Sequence, residues 1–185
     1  MSAVPLPSDA ELAHLAVSGD ARAFSALVTR HKAILYRFIR AYVGNADDAY
    51  DLLQQTFLSA WRAMDGFDPE RSMQTWLRAI ARNKCRDHHR KTRLLRILTI
   101  ADWGAATRVA DARPTPEEAW IDAQGLRALD QAIAELPPAL KEPLLLTALE
   151  KLSQAEAGRQ LGISAKAVEM RVRRARQKLA AVLGG

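Results

Sequence analysis

Apolar residues recur every three or four positions along most of this chain, which is the spacing that places them on one face of an α-helix. The pattern predicts a short helix after Ser8, a long one from Ala21 to Gly44, and a third that starts at Asn45. Runs in which apolar and polar residues alternate, the mark of half-buried strands, are missing. The sequence therefore predicts an all-α protein.

Residues 152–183 combine a helix, a tight turn and a second helix. Ser153 and Glu156 have the spacing of a capping box at the start of the first helix. Gly162 supplies the turn, and Ser164 is an N-cap for the second helix. This order is typical of a helix-turn-helix.

The second helix of this motif has two different faces. Its apolar positions predict one buried stripe, made of Val168, Val172, Ala175, Leu179 and Leu183. The opposite side and its flanks are polar or cationic, and they carry Lys166, Met170, Arg171, Arg173, Arg174, Arg176 and Gln177. Short residues at the helix entrance (Ser164, Ala165, Ala167), with cations further along, suit a helix that enters the major groove of duplex DNA.

The helix after Asn45 predicts a buried side made of Ala49, Leu52, Leu53, Phe57, Ala60, Trp61 and Met64. Its other side carries Asp47, Asp51, Gln54, Gln55 and Arg62. A polar side of this kind is either a solvated face or a docking surface, and composition alone does not separate the two.

A second basic surface follows the segment 65–72, which contains Gly66 and Pro69 and is predicted to be a loop. Helical spacing predicts an exposed stripe of Arg78, Arg82, Arg86, His89 and Arg93. Cations beside flat side chains are typical of single-strand binding, where bases stack on aromatic rings. Trp76 fits that role, and it fits equally well in a core.

Net charge and composition point to a polyanionic partner. The chain of 185 residues has a formal net charge of +6 and a pI near 9.8, which favours nucleic acid first and an anionic membrane surface second. Between about Thr99 and Asp122 acids outnumber cations, and prolines occur. We therefore predict two small helical domains, residues 1–97 and 123–185, joined by a flexible linker at residues 98–122, with Thr115 capping the first helix after it.

The remaining chemistry is sparse. Cys85 is the single cysteine, so neither a disulfide nor a cysteine-based zinc site is expected, and the residue is either a small packing residue or a redox-sensitive thiol. His88 and His89 are adjacent and diverge on a helix, and no phosphate-binding glycine loop is present. No apolar run approaches the roughly 20 residues that span a bilayer. We expect a cytoplasmic protein without enzymatic activity, metal, cofactor or membrane insertion.

Three stretches in order resemble the extracytoplasmic-function (ECF) sigma factors, small initiation subunits of bacterial RNA polymerase. Ala46 to Trp61 resembles the polymerase-binding helix of that family, Phe67 to Arg90 its promoter-melting segment, and Leu136 to Leu179 its second DNA-binding domain. The chain departs from the family pattern at Gln55, where the family commonly has an acid. It also departs at Ala157-Gly158, where the family favours isoleucine and alanine, and at Ala167, where it favours threonine. The resemblance implies an alternative sigma factor that binds core RNA polymerase and promoter DNA, as duplex and as melted strand.

The resemblance also implies a role for individual residues. For polymerase binding they are Asp51, Gln54, Gln55 and Leu58. For the minus-ten element they are Gly66, Phe67, Ser72, Trp76, Arg82, Asn83, Arg86 and Arg90. For the minus-thirty-five element they are Ser164, Lys166, Ala167, Met170, Arg171, Arg173 and Arg174.

Two further expectations concern partners. Family resemblance implies a separate anti-sigma factor that occludes the DNA-binding domains, and association with the nucleoid when the protein is active. The alternative is a dimeric operator-binding regulator that uses the same helix-turn-helix without polymerase, which would require palindromic sites.

Overall fold

The computed structural model describes residues 7–102 and 128–184, and every regular element within them is helical. The first range contains α1 (Asp9–Val17), α2 (Ala21–Val43), α3 (Ala46–Arg62), a 3-10 helix (Met64–Gly66) and α4 (Met73–Asp102). The second contains α5 (128–135), α6 (Pro138–Ala148), α7 (Gln154–Leu161) and α8 (Ala165–Leu183). The all-α prediction is confirmed. The predicted Thr115 cap and most of the predicted linker lie outside the described residues.

Both predicted capping boxes are formed. At α1 the Ser8 hydroxyl accepts from the Glu11 N–H at 3.2 Å, and the Glu11 carboxylate accepts from the Ser8 N–H at 2.7 Å. At α7 the Ser153 hydroxyl accepts from the Glu156 N–H at 3.2 Å, and the return bond is 2.8 Å. Each box satisfies N–H groups that the first helical turn leaves without a partner, so these helices start where the sequence predicts.

The chain divides into two compact units. The first unit contains the chain up to Arg40 together with Asn45–Cys85, and the second contains Ala41–Gly44 together with the chain from Arg86 onward. α4 therefore contributes residues to both units. The domain limits at residues 97 and 123 stay a prediction.

The first unit is built on buried side chains that α2, α3 and α4 each contribute at helical spacing. They are Leu27, Leu35 and Phe38 from α2, Leu52, Phe57 and Ala60 from α3, and Met73, Leu77, Ala81 and Cys85 from α4. Full burial of one such large side chain contributes roughly 1.5–3 kcal/mol. Asp9 on α1 contacts two residues of α2. Its carboxylate lies 2.6 Å from Arg30 and 2.9 Å from His31.

In the second unit, α6, α7 and α8 bury Leu144, Leu145, Leu146, Ala157, Val168, Val172 and Ala175. The turn between α7 and α8 passes so close to α7 that a Cβ at Gly158 would lie 2.6 Å from the Ile163 carbonyl oxygen. Gly162 ends α7 in the left-handed conformation (φ +67°), which glycine adopts without strain. The helix-turn-helix prediction is thus met in its caps, its turn and its packing.

Two residues expected in the core are exposed. Trp61, at the end of α3, is 38% exposed although its ring packs on that of Phe24, with centroids 4.8 Å apart. Leu183 is 43% exposed because the buried residues of α8 end at Ala175 and the last turns project beyond them. Apolar residues at helical spacing therefore continue beyond the residues that are buried in each unit.

Within the described ranges, no helix combines the length and the hydropathy needed to cross a bilayer.

Candidate nucleic-acid and polymerase interfaces

The polar side of α3 is exposed as predicted. Asp51, Gln54, Gln55 and Leu58 are all solvent-accessible, and Leu58 is 50% exposed although it is apolar. The opposite side of the helix is buried through Ala49, Leu52, Phe57 and Ala60. The four residues therefore lie on a rigid helix and are free to meet a partner.

Two aromatic residues that sequence reasoning did not assign to this surface also lie on the exposed side of α3. Tyr50 is 57% exposed and its ring centroid is 4.9 Å from that of Tyr36 on α2. Trp61 contacts Phe24 in the same way. The signal was available, because positions 50, 54, 58 and 61 follow the three-four spacing of one helix face. We call Asp47, Tyr50, Asp51, Gln54, Gln55, Leu58 and Trp61 the α3 face.

The loop before α4 is anchored at its apolar residue. Phe67 is buried, and its ring centroid lies 5.2 Å from that of the half-buried Trp76. Asp68 holds the middle of the loop by accepting from the Glu70 N–H and from Arg71, each at 3.1 Å. Trp76 is thus partly core and partly accessible, with its ring position set by Phe67.

Gly66 and Ser72, the two ends of the predicted minus-ten loop, are exposed. The Ser72 hydroxyl accepts from the Thr75 N–H at 3.4 Å. A Cβ at Gly66 would meet no atom within 4 Å. The loop ends are therefore accessible on either side of the buried Phe67.

The predicted exposed cationic stripe on α4 is wrong at its first residue. Arg78 is only 3% exposed and Arg82 is half-buried. Of the described residues between Met73 and Cys85, Asn83 alone is exposed, and the others are buried or half-buried. A long aliphatic stem allows an arginine to be buried in such a place.

Two exposed cations beyond Cys85, Arg86 and Arg90, are paired with acids. Arg90 lies 2.7 Å from Asp87. Arg86 makes a two-pronged ion pair with Glu142, whose side chain is 2% exposed while that of Arg86 is 47% exposed. The hydrogen bond to Glu142 raises the pKa of Arg86 above its ordinary value. Its charge is therefore fixed, and its guanidinium is already engaged.

The recognition face of α8 is exposed as predicted. Val168, Val172 and Ala175 are buried, and Lys166, Met170, Arg173 and Arg174 are exposed. Ala167 and Arg171 are half-buried on its flank. The Ser164 hydroxyl accepts from the Ala167 N–H at 3.1 Å and fixes the start of the helix. Lys166 lies 2.9 Å from Glu169, an exposed acid on the same helix.

Cys85 is fully buried, which fits a packing residue and leaves the thiol without access to an oxidant. In the part of the chain that the structure describes, no group of three His, Cys, Asp or Glu side chains is placed to hold a metal ion.

Family models match both halves of the chain. Residues 27–94 match the Sigma-70 region 2 model, and residues 126–179 match the Sigma-70, region 4 model. The first match covers α3, the loop and most of α4, and the second covers the helix-turn-helix.

Relatives and a solved structure agree with these models. The chain is 39% identical to the RNA polymerase sigma factor CnrH of Cupriavidus metallidurans, over 96% of each chain, and 32% identical to the ECF RNA polymerase sigma factor SigM of Mycobacterium tuberculosis, over 96% of this chain and 85% of that one. The structure of CnrH in complex with the cytosolic domain of CnrY matches with a TM-score of 0.67 and 35% identity, over 95% of this chain and 97% of the other.

These matches favour a polymerase subunit over the dimeric operator-binding regulator, and they place the chain among regulators of transcription. The chain belongs to the ECF RNA polymerase sigma factors, and it is an alternative sigma factor that acts with RNA polymerase at promoter DNA.

Proposed function

We propose that this sigma factor uses three surfaces, each with one task. The α3 face docks on core RNA polymerase. The loop from Gly66 to Ser72, together with Asn83, Arg86 and Arg90 on α4, engages the melted minus-ten strand. The exposed face of α8 reads the minus-thirty-five duplex.

The α3 face is the observation that carries the polymerase-docking role. Its residues combine two carboxylates, two amides and three apolar or aromatic side chains on a helix whose other side is buried. Exposed aromatic residues held by neighbouring rings bury large areas at a small cost in side-chain entropy, which is typical of the anchors of an interface. Asp47 and Asp51 add negative charge that orients a basic partner.

The loop supports capture of single-stranded DNA. Trp76 offers a partly accessible ring whose position Phe67 sets, and an unpaired base stacks on such a ring for roughly 1–3 kcal/mol. Asn83, the one exposed residue of α4 between Met73 and Cys85, adds a side-chain amide that can both donate to and accept from a base edge. Strand opening would then be driven by binding free energy, without a covalent step.

The α8 face supports recognition of duplex DNA. Small residues at its entrance allow close approach, Lys166 and Arg173 present donors that match guanine acceptors, and Arg174 suits a phosphate. One chain carries both the minus-ten surface and the α8 face. Binding of either one to its DNA element therefore raises the effective concentration of the other at its own element.

A separate protein partner is part of the proposal. The related CnrH has been solved in complex with the cytosolic domain of CnrY. The similarity to this chain covers nearly its full length. We therefore expect an anti-sigma factor that covers the DNA-reading surfaces, and nucleoid association of this cytoplasmic protein once that factor is released.

The docking surface is tested with the double variant Asp51→Arg, Gln54→Ala. Both side chains point outward, so folding should be unchanged while charge reversal at the contact reduces binding to core polymerase by at least tenfold. Pull-down with core enzyme measures the binding, and a circular-dichroism melt measures the fold.

The matched control is Lys32→Glu, a charge reversal at an exposed position of α2 outside the α3 face. It should retain polymerase binding. Undiminished binding by the double variant would refute the docking face, and run-off transcription should fall in parallel with binding.

A further inference from the structure

Two side chains of the second unit, Arg86 and Tyr42, converge on one buried carboxylate. Glu142, on α6, is 2% exposed, and both of its oxygens receive the guanidinium of Arg86. The hydroxyl of the fully buried Tyr42 also donates to Glu142, at 3.1 Å. A carboxylate this deeply buried requires such partners, because burial of an isolated charge is costly.

The neighbouring Lys141 fixes the helix that carries Glu142. It is fully buried, and its ammonium donates to the Tyr42 carbonyl at 2.9 Å and to the Ala134 carbonyl at 2.6 Å. The same ammonium lies 4.5 Å from the centroid of the Tyr42 ring. The position of Glu142 is therefore set by its surroundings, and it does not depend on Arg86 alone.

The pairing has a consequence for DNA binding. The fork of an arginine guanidinium binds a carboxylate and a phosphate in the same two-pronged geometry. A guanidinium edge that Glu142 occupies is not available to a DNA phosphate or base. Arg86 is nevertheless a residue of the proposed minus-ten surface.

We infer that Glu142 is an internal competitor for the melted DNA strand, which holds Arg86 in a self-inhibited state that strand binding must displace. This inference rests on the proposed role of Arg86 at the minus-ten element. The free chain then binds single-stranded DNA more weakly than a chain in which Arg86 is always unpaired. Its apparent affinity is reduced to the fraction of molecules in which Arg86 has left Glu142.

The test uses the full-length chain and a short fluorescein-labelled single-stranded DNA of mixed sequence, with fluorescence anisotropy measured at one fixed salt concentration. Glu142→Gln keeps the side-chain shape and an oxygen acceptor for Tyr42, but it removes the charge that holds Arg86. We expect affinity for the strand to rise about tenfold. The matched control is Glu135→Gln, which removes one exposed carboxylate of the same unit and should raise the affinity by less than about twofold.

Arg86→Ala is measured in the parent chain and in Glu142→Gln. The two measurements test separately whether Arg86 binds the strand and whether Glu142 competes for it. If Arg86→Ala weakens strand binding only when Glu142 is neutral, the competition is supported. If Arg86→Ala weakens binding and Glu142→Gln does not strengthen it, the competition is wrong and the role of Arg86 stands. If Arg86→Ala changes nothing in either background, Arg86 is not a strand-binding residue.

A measurement on the unmodified chain covers the case in which Glu142→Gln fails to fold. The side-chain Nε–H resonance of Arg86 is identified by its loss in Arg86→Lys. It should shift progressively as single-stranded DNA is added, because the carboxylate is exchanged for a phosphate. A resonance that stays unchanged at saturating DNA would overturn the inference.

Discussion

The cationic helices α4 and α8 look alike in sequence and differ in the structure. On α8, Lys166, Arg173 and Arg174 are exposed, as the periodicity predicts. On α4, Arg78 is buried and Arg82 is half-buried. Both helices carry apolar residues at three-four spacing, and both carry arginines between them.

The difference lies in how many sides of each helix are packed. α8 buries Val168, Val172 and Ala175 and half-buries Ala167, Arg171 and Leu179, and its other positions are exposed. The first part of α4 is buried or half-buried at every described position from Met73 to Cys85 except Asn83. A cation on a helix with one packed side is a surface residue, whereas a cation on a helix that is packed around most of its circumference is a structural one.

The largest effect that we expect from this comparison is on stability. Arg78→Ala should lower the free energy of unfolding by about 3 kcal/mol, because it leaves a cavity where a long buried side chain was packed. Arg174→Ala on α8 should change it by less than about 0.5 kcal/mol, because that side chain is exposed. Urea unfolding followed by circular dichroism measures both. If the two variants have equal free energies of unfolding, then arginines on α4 and α8 do not differ in their contribution to stability.

A smaller effect is expected at the turn that presents α8. Gly158→Ala places a Cβ 2.6 Å from the Ile163 carbonyl oxygen, so the turn must shift, at a cost of about 2 kcal/mol. Binding to promoter duplex should weaken with it, because the angle of α8 changes. Gly66→Ala is the matched control for the thermal melt, since its Cβ meets no atom within 4 Å and the residue has no positive φ. Duplex affinity is measured by gel shift and stability by a thermal melt. If Gly158→Ala equals the parent in both, the close approach of the Ile163 carbonyl to Gly158 is contradicted.

The local elements were predictable because their signals are local. The Ser8 and Ser153 capping boxes, the turn at Gly162 and the buried stripe of α8 depend on residues three or four positions apart, and all are present. The burial of Arg78 depends on which other helices surround α4, which one helix's periodicity does not encode. The Arg86–Glu142 pair joins residues 56 positions apart, and the sequence contains no local sign of it. Tyr50 differs from these, because its spacing already placed it on the exposed face of α3. An aromatic residue at such a position is usually assigned to the core.

The smallest effect concerns the caps, and it separates α1 and α7 from α4 by pH. Hydrogen bonds from the Ser153 side chain and backbone lower the pKa of Glu156, and those from the Ser8 backbone and side chain lower the pKa of Glu11. A lowered pKa in the folded chain means that the stabilisation is complete above the pKa of the unfolded carboxyl. It is lost as the pH falls through the folded value. α4 has no acid in its first turn, so its start lacks this contribution.

Urea unfolding in steps from neutral pH to below the ordinary carboxyl range should therefore reveal a loss of stability that Glu156→Gln and Glu11→Gln each reduce. The glutamines keep a hydrogen-bond acceptor but do not titrate, so the difference between variant and parent isolates the cap from the other carboxylates of the chain. Glu70→Gln is the matched control, because it removes an exposed acid outside both caps and should follow the parent. If all three variants lose stability with the same pH dependence as the parent, then the caps contribute nothing that titrates. In that case the packing of α7 on α8, and not the Ser153–Glu156 pair, fixes the start of α7.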